Sequence, residues 1–216
     1  MKKIAQIILV PVILVLGYLI YQIPAKEMEF KEKAKIRIDR NIQKLEDIKQ
    51  AQIHFKQKYN RYAENADILL NFLINESIII TKTIGEIPEE YIEEFGYTKA
   101  DSIAEANGDI KRIPDTISAK LVVFDSTYLS ERNNLYPLDI ANLFQIPETK
   151  KQYNIATDEL APYGGQIVQV LEISSNYKTI LKGLDYKNYT HLYPPDDLLK
   201  IGSLTEVSLN GNWKIE

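Results

Sequence analysis

Residues 26–59 read KEMEFKEKAKIRIDRNIQKLEDIKQAQIHFKQKY, and the spacing of their apolar side chains decides the fold. Ile38, Ile42, Leu45, Ile48, Ala51, Phe55 and Tyr59 recur every three or four residues. At 3.6 residues per turn this places them in one stripe on an otherwise charged cylinder. Neither Gly nor Pro interrupts the stretch, so the spacing predicts a single long amphipathic helix. Asn41 and Gln52 spoil the heptad repeat that a coiled coil needs. The stripe is therefore expected to pack on the chain's own distal part.

Upstream, residues 4–23 read IAQIILVPVILVLGYLIYQI and carry no charged side chain. The run opens on Ile4 and closes on Ile23, with Pro11 and Gly17 inside it. Twenty helical residues rise about 30 Å, the thickness of a bilayer's hydrocarbon core. Pro and Gly are tolerated in such helices. The run is read as a transmembrane span, with Pro24 marking its end and the rod beyond reaching about 50 Å from the membrane. Its apolar core exceeds that of a cleaved signal, Ile23 is bulky at the −3 position of a cut after Ala25, and no cysteine offers a lipidation site. These features predict a retained signal anchor.

A short basic N-terminus (Lys2, Lys3) favours N-inside topology and a distal domain outside the cytoplasm. The seven bases Lys26, Lys31, Lys33, Lys35, Arg37, Arg40 and Lys44 beyond the run count in the opposite direction. The expected location is a bacterial inner membrane, single-pass, with the distal domain periplasmic. Residues 26–61 hold 11 bases and 6 acids, whereas residues 62–216 hold 13 bases and 24 acids. The proximal part can rest on anionic head groups, although a solvated helix face explains the same letters. The acidic distal part would repel phosphate, so no nucleic-acid partner is expected. The expected partners are the lipid bilayer and a protein, either a different chain or further copies of this one.

Downstream, Asn65 is placed to cap a short helix bearing Ile68, Leu69, Phe72 and Leu73, ending near Glu76. Residues 77–84 are β-branched and read as a strand. Residues 88–108 are acidic and leave one or two helical turns open. Residues 116–124, 151–160, 166–173 and 199–209 read as strands, separated by turn material at Asn133-Asn134, Tyr163-Gly164-Gly165, Pro194-Pro195 and Asn210-Gly211. The fold class is α+β: an anchor over 1–24, a helical stalk and second helix over 25–76, and a mostly antiparallel β-rich domain over 77–216.

The segment 48–73, IKQAQIHFKQKYNRYAENADILLNFL, resembles the stem of type IV pilins and type II secretion pseudopilins, where a membrane helix continues into a stalk before a sheet domain. The prepilin-peptidase signature of those families is not matched, because no Glu lies between Met1 and Ile23. The resemblance therefore carries the shape and not the processing. The stem, KRIPDTISAKLVVFDS and LLKIGSLTEVSLNGNW together resemble a group of uncharacterised single-span proteins of Bacteroidota. That resemblance implies envelope location and architecture, and brings no catalytic residues.

Chemistry-bearing motifs are sparse. There is no cysteine, and the two histidines are His54 on the long helix and His191 near Asp196 and Asp197. A His with two carboxylates is a possible metal set, but exposed acids after a Pro-Pro turn explain it as well. Gly164-Gly165 lacks the Lys and Ser/Thr of a phosphate loop. No catalytic residue, metal or cofactor is assigned, and a non-catalytic chain is expected. Tyrosine is abundant at 14 of 216, and Tyr186, Tyr189 and Tyr193 crowd one segment. They offer an interaction surface for a peptide, glycan or lipid, or else ordinary cross-strand packing. Two functions follow: a pilin-like scaffold or subunit of a trans-envelope assembly, and a ligand-binding or sensing module using the tyrosines.

Overall fold

The computed structural model describes residues 2–161 and 165–214, with the side chains of residues 2–10, 12, 14, 15, 19–21, 23 and 214 left aside. One helix, α1 (Lys2–Tyr59), takes in both the apolar run and the amphipathic stretch. Its 58 residues rise about 87 Å. The helix continues past Pro24, the expected end of the apolar run, and both Pro11 and Pro24 lie inside it. A proline removes one backbone donor, and the remaining ladder carries the helix past it. No helix is long and apolar enough to cross a membrane among the described residues. The side chains of Ile4 and Ile23 lie outside the described residues.

Asn65 caps α2 (Ala66–Asn75) as expected, its Oδ1 accepting from the Ile68 N–H at 3.0 Å. Strand β1 (Ser77–Gly85) leads through α3 (Glu89–Phe95) and α4 (Tyr97–Asn107) into β2 (Ile110–Ser118). β1 and β2 pair antiparallel along their whole length, Ser77 opposite Ser118 and Gly85 opposite Ile110. They form a separate two-stranded ribbon with α3 and α4 at its tip. The second sheet is three-stranded and antiparallel, with β4 (Val168–Asn176) between β3 (Asn154–Leu160) and β5 (Leu198–Gly202). The Tyr163-Gly164 part of the predicted β3–β4 turn lies outside the described residues.

Three predicted strands need correction. Residues 116–124 are strand only to Ser118 and then turn into α5 (Ala119–Val123). Ala119 and Val123 are fully buried at helical spacing, so packing overrides the β-propensity of the Val pair. Residues 151–160 become strand only at Asn154, after Gln152 bridges to Gln145. Residues 199–209 are strand only to Gly202, which turns left-handed at φ +79°. A side chain there would collide with the Leu171 carbonyl, and one at Gly211 with the Trp213 ring. These glycines fix the GSLTE and GNW pieces of the C-terminal motif. The distal part is thus less β-rich than expected, with α6 (Ser126–Glu131) and α7 (Tyr177–Ile180) among its elements.

The stripe of α1 packs on the distal part, as its spacing predicts. One core joins α1 to the rest, from Phe30 and Ala34 through Leu45, Ile48 and Ala51 to Phe55. The distal elements therefore lie alongside α1 from seven residues beyond Ile23, instead of standing at the end of a rod. Ile38 and Ile42 sit at the margin of this core, and Tyr59 is exposed.

The inward side of α1 also buries Asn41, Lys44, Asp47 and Gln52. Gln52 donates to the Ala63 carbonyl at 2.9 Å and accepts from its N–H at 2.8 Å. Asn41 accepts from the Tyr153 hydroxyl at 2.6 Å. Asp47 takes a two-pronged ion pair from Arg132, with Nε and Nη2 each 2.8 Å from a carboxylate oxygen, plus the Tyr128 hydroxyl at 2.8 Å. Arg132 also donates to the Tyr136 carbonyl at 2.6 Å. Burial and the Asp47 charge push the Tyr128 hydroxyl far above its ordinary range, so it remains a donor. No buried side-chain nitrogen or oxygen among the described residues lacks a hydrogen-bond partner.

Removing Asp47 would leave the Arg132 guanidinium buried without its counter-charge, a loss of about 3–5 kcal/mol. Asp47→Ala is expected to lower unfolding stability by that amount in urea titration. A loss below about 1 kcal/mol would contradict this account.

Lys44 gives a pH prediction. Its ammonium donates to the Asn142 and Gln145 carbonyls at 2.6 and 2.7 Å and lies 5.2 Å from the Tyr136 ring centre. Burial pushes its pKa down from 10.5 to about 8, against the smaller upward pull of Asp139 and Asp47. Between those two values the unfolded chain holds more protons than the folded one, so this group makes stability rise with pH. The stability difference between the wild type and Lys44→Met is expected to shift in favour of the wild type by roughly 3 kcal/mol across that window. Denaturation at pH 7, 9 and 10.5 reads the difference, and a flat profile would exclude the depressed lysine.

Candidate functional site

Most residues of the ribbon are exposed. Along β1, Ile79 is 75% exposed and Ile84 51%. Ile78 and Ile80 are half-buried and line a groove of about 640 Å³ together with Ser77, Ile79, His54, Gln57, Lys58 and Val122. The last turns of α1 form one wall, and α5 supplies Val122. Burial lowers the His54 pKa, partly offset by Asp125. Gln50 lies 3.3 Å from the His54 ring nitrogen and 3.3 Å from the Val123 carbonyl. His54 is thus an ordinary half-buried groove residue.

The register determines which backbone groups face the groove. The Ala119 N–H donates to the Glu76 carbonyl at 2.9 Å, and those two residues are directly opposite when the β1–β2 register is extended by one. In an antiparallel ladder such pairs alternate with pairs that exchange no bonds. Ile78, Ile80, Lys82 and Ile84 therefore bond to β2, while Ser77, Ile79, Thr81 and Thr83 turn their N–H and C=O groups outward. Lys58 Nζ takes the Ser77 carbonyl at 3.0 Å, in agreement with that parity. Side chains opposite each other share a face, which puts Ile78, Ile80, Ile84, Ile113 and Ile117 on one side of the ribbon.

At the ribbon tip Arg112 is bound by Asp101 and Glu105. Residues 86–109 carry eight acids and one base, Lys99, and the exposed Phe95 and Tyr97 sit at the knuckle between α3 and α4.

The three tyrosines singled out in the sequence are brought together, but around α1. Tyr189 stacks on Phe30 with ring centres 4.3 Å apart and nearly parallel planes. Tyr193 lies 6.3 Å from Phe30 and 5.3 Å from Tyr177. Tyr186 is buried and donates its hydroxyl to the Tyr193 carbonyl at 2.7 Å. Burial raises the Tyr186 and Tyr177 hydroxyls. These rings close the core at the Phe30 end by packing on α1, and none of them lies in a strand, so they are neither cross-strand pairs nor an open ligand surface. Tyr189→Ala is expected to cost about 1–3 kcal/mol of stability through the lost stack and burial. A melting temperature within 1 °C of wild type (about 0.5 kcal/mol at most) would contradict this packing role.

Among the described residues no group of three or more His, Cys, Asp or Glu side chains is gathered as metal ligands would be. A second concavity of about 460 Å³ is lined by Tyr128, Arg132 and Trp213, and its Arg132 is committed to the ion pair with Asp47 that holds α1. Sequence reasoning missed the ribbon edge, because its signal is the parity of one strand pair. Pro114 within a β-branched run was the visible hint. No family model, curated protein or solved structure matches this chain.

Proposed function

We propose that this chain is a non-catalytic, membrane-anchored envelope protein that serves as a scaffold or subunit of an assembly, its distal domain on the periplasmic side of a bacterial inner membrane. The observation that carries this reading is the continuity of α1. The same helix that begins in the charge-free run 4–23 supplies Phe30, Leu45, Ile48 and Phe55 to the domain core. An anchor joined by a flexible linker would leave the head free to swing. Here one helix leads from the apolar run into the head with no linker between them, which suits a part that must present a surface close to the membrane.

The rise from Ile23 to Phe30 is about 10 Å. That brings Tyr189 and the paired Lys31–Glu27 and Lys33–Glu29 close to the level of lipid head groups, where tyrosine and lysine are favoured. The ribbon starts at the opposite end of the core, near Lys58 and Glu76. The stem's likeness to pilins is in keeping with a scaffold. The packing of Tyr189 and Tyr193 on Phe30 weighs against the ligand-binding alternative.

Two measurements test the reading. The full chain is expected in the membrane fraction after alkaline carbonate washing, and a C-terminal alkaline phosphatase fusion is expected to be active. Extraction by carbonate would remove the anchor, and an expressed but inactive fusion would reverse the orientation.

A further inference from the structure

The outer edge of β1 is open, whereas that of β2 is closed: Pro114 has no N–H, and the Thr116 N–H is taken by Asp115 at 2.8 Å. A second presented surface lies at the opposite end of the core, and there its place along α1 names the partner. The segment 182–193 runs down the flank of α1 and turns back. Arg37 donates to the Lys182 carbonyl, and further down Phe30 stacks on Tyr189. Lys31 and, more weakly, His191 lower the Glu27 carboxyl pKa, which places the imidazole beside that carboxylate. The chain then returns through Tyr193, whose ring centre is 6.3 Å from that of Phe30.

Measured along the helix from Ile23, Arg37 stands about 21 Å beyond the charge-free run, Phe30 about 10 Å and Glu27 about 6 Å. The head-group layer on one side of a bilayer is about 5–8 Å deep. The turn at Thr190-His191-Leu192 therefore reaches the level of the head groups, while Lys182 stays clear of them. Residues 188–195, NYTHLYPP, carry no Lys, Arg, Asp or Glu. The rings of Tyr189 and Tyr193 are committed to Phe30, and Thr190 and His191 are exposed between them. A polar and aromatic turn without formal charge suits the membrane interface, where tyrosine is enriched.

We propose that the turn Thr190-His191-Leu192 is a second membrane contact, seated in the phospholipid head-group layer beside the point where α1 passes through it. The proposal rests on the anchor reading of α1 and adds which side of the head faces the lipid. Charge decides the kind of lipid surface. The turn has no lysine or arginine, and Lys31 and Lys33 are already paired with Glu27 and Glu29, so an anionic surface adds no attraction and a zwitterionic one suffices. A protein partner at this level would itself have to enter the head-group layer. Helix and turn together give the head two points of contact, which hold one side of it toward the lipid.

The sequence has no cysteine, so single labels report cleanly. Thr190→Cys and Glu64→Cys, each carrying an environment-sensitive fluorophore, are reconstituted as the full chain into phosphatidylcholine vesicles, with and without lipid spin-labelled on its head group. Glu64 serves as the distant reference, because the rise from Ile23 to Gln52, which holds the neighbouring Ala63, is about 44 Å. The label at residue 190 is expected to lose emission to the quencher lipid, and the label at residue 64 to keep it. His191→Cys, also at an exposed position, gives the same readout should Thr190→Cys not fold. Equal quenching at residues 190 and 64, no quenching at either 190 or 191, or quenching that appears only when anionic lipid is added would overturn the proposal. A carbonate-resistant chain with an unquenched label at residue 190 would keep the anchor and lose this contact; a carbonate-extracted chain still quenched there would do the reverse.

Discussion

A carboxylate on the inward side of a helix can be buried only if a cation comes with it. Asp47 meets that condition through Arg132, whose position after α6 brings the whole segment 125–136 onto α1. With both side chains almost wholly buried, the desolvation cost is several kcal/mol per ion and is offset only because the pairing is two-pronged and Tyr128 and the Tyr136 carbonyl fill the remaining sites. The contribution is to uniqueness as much as to stability. A helix with only Leu45, Ile48 and Phe55 facing inward could slide or rotate by a turn at modest cost. Asp47 against Arg132, Gln52 against Ala63 and Asn41 against Tyr153 each allow one register.

These fixed contacts bear on how the chain could act in an assembly. α1 is held from Phe30 to Phe55, and Arg37 and Arg40 share the Glu148 carboxylate on its flank. Glu148 takes a positive φ of 58° to reach them. A rod gripped along that length transmits orientation from one end to the other. The ribbon is different in kind: its apolar face is only partly covered, and its small internal core is Ala100, Ala104 and Ile110 at the tip. The fold thus separates a rigid holder from a presented edge.

Much of the framework was legible in the letters. The 3.6-residue stripe located α1, Asn65 located the start of α2, and the run of β-branched residues located β1, because each signal is local and its cause acts within a few residues. The failures share a cause as well. Residues 119–123 look like strand, yet Ala119 and Val123 find a buried slot only at helical spacing. Residues 203–209 look like strand, yet Gly202 bends the chain away. Asn41 and Gln52 were visible as faults in a heptad, and only their partners, 112 and 11 residues away, show them to be clamps. The tyrosines were visible as a group, but Phe30, which orders them, lies more than 150 residues upstream.

By itself the sequence determined a charge-free run leading into an amphipathic helix, an acidic distal part of mixed α and β structure, and the lack of thiols. These follow from composition and short periodicity, which need no knowledge of distant neighbours. Only the tertiary structure decided that Asp47, Lys44 and Gln52 turn inward, and that β1 and not β2 keeps an open edge. Each of those depends on which groups far apart in the chain meet. Burial makes a polar group costly unless a specific partner arrives, and strand parity turns one residue's shift into the exchange of a closed edge for an open one.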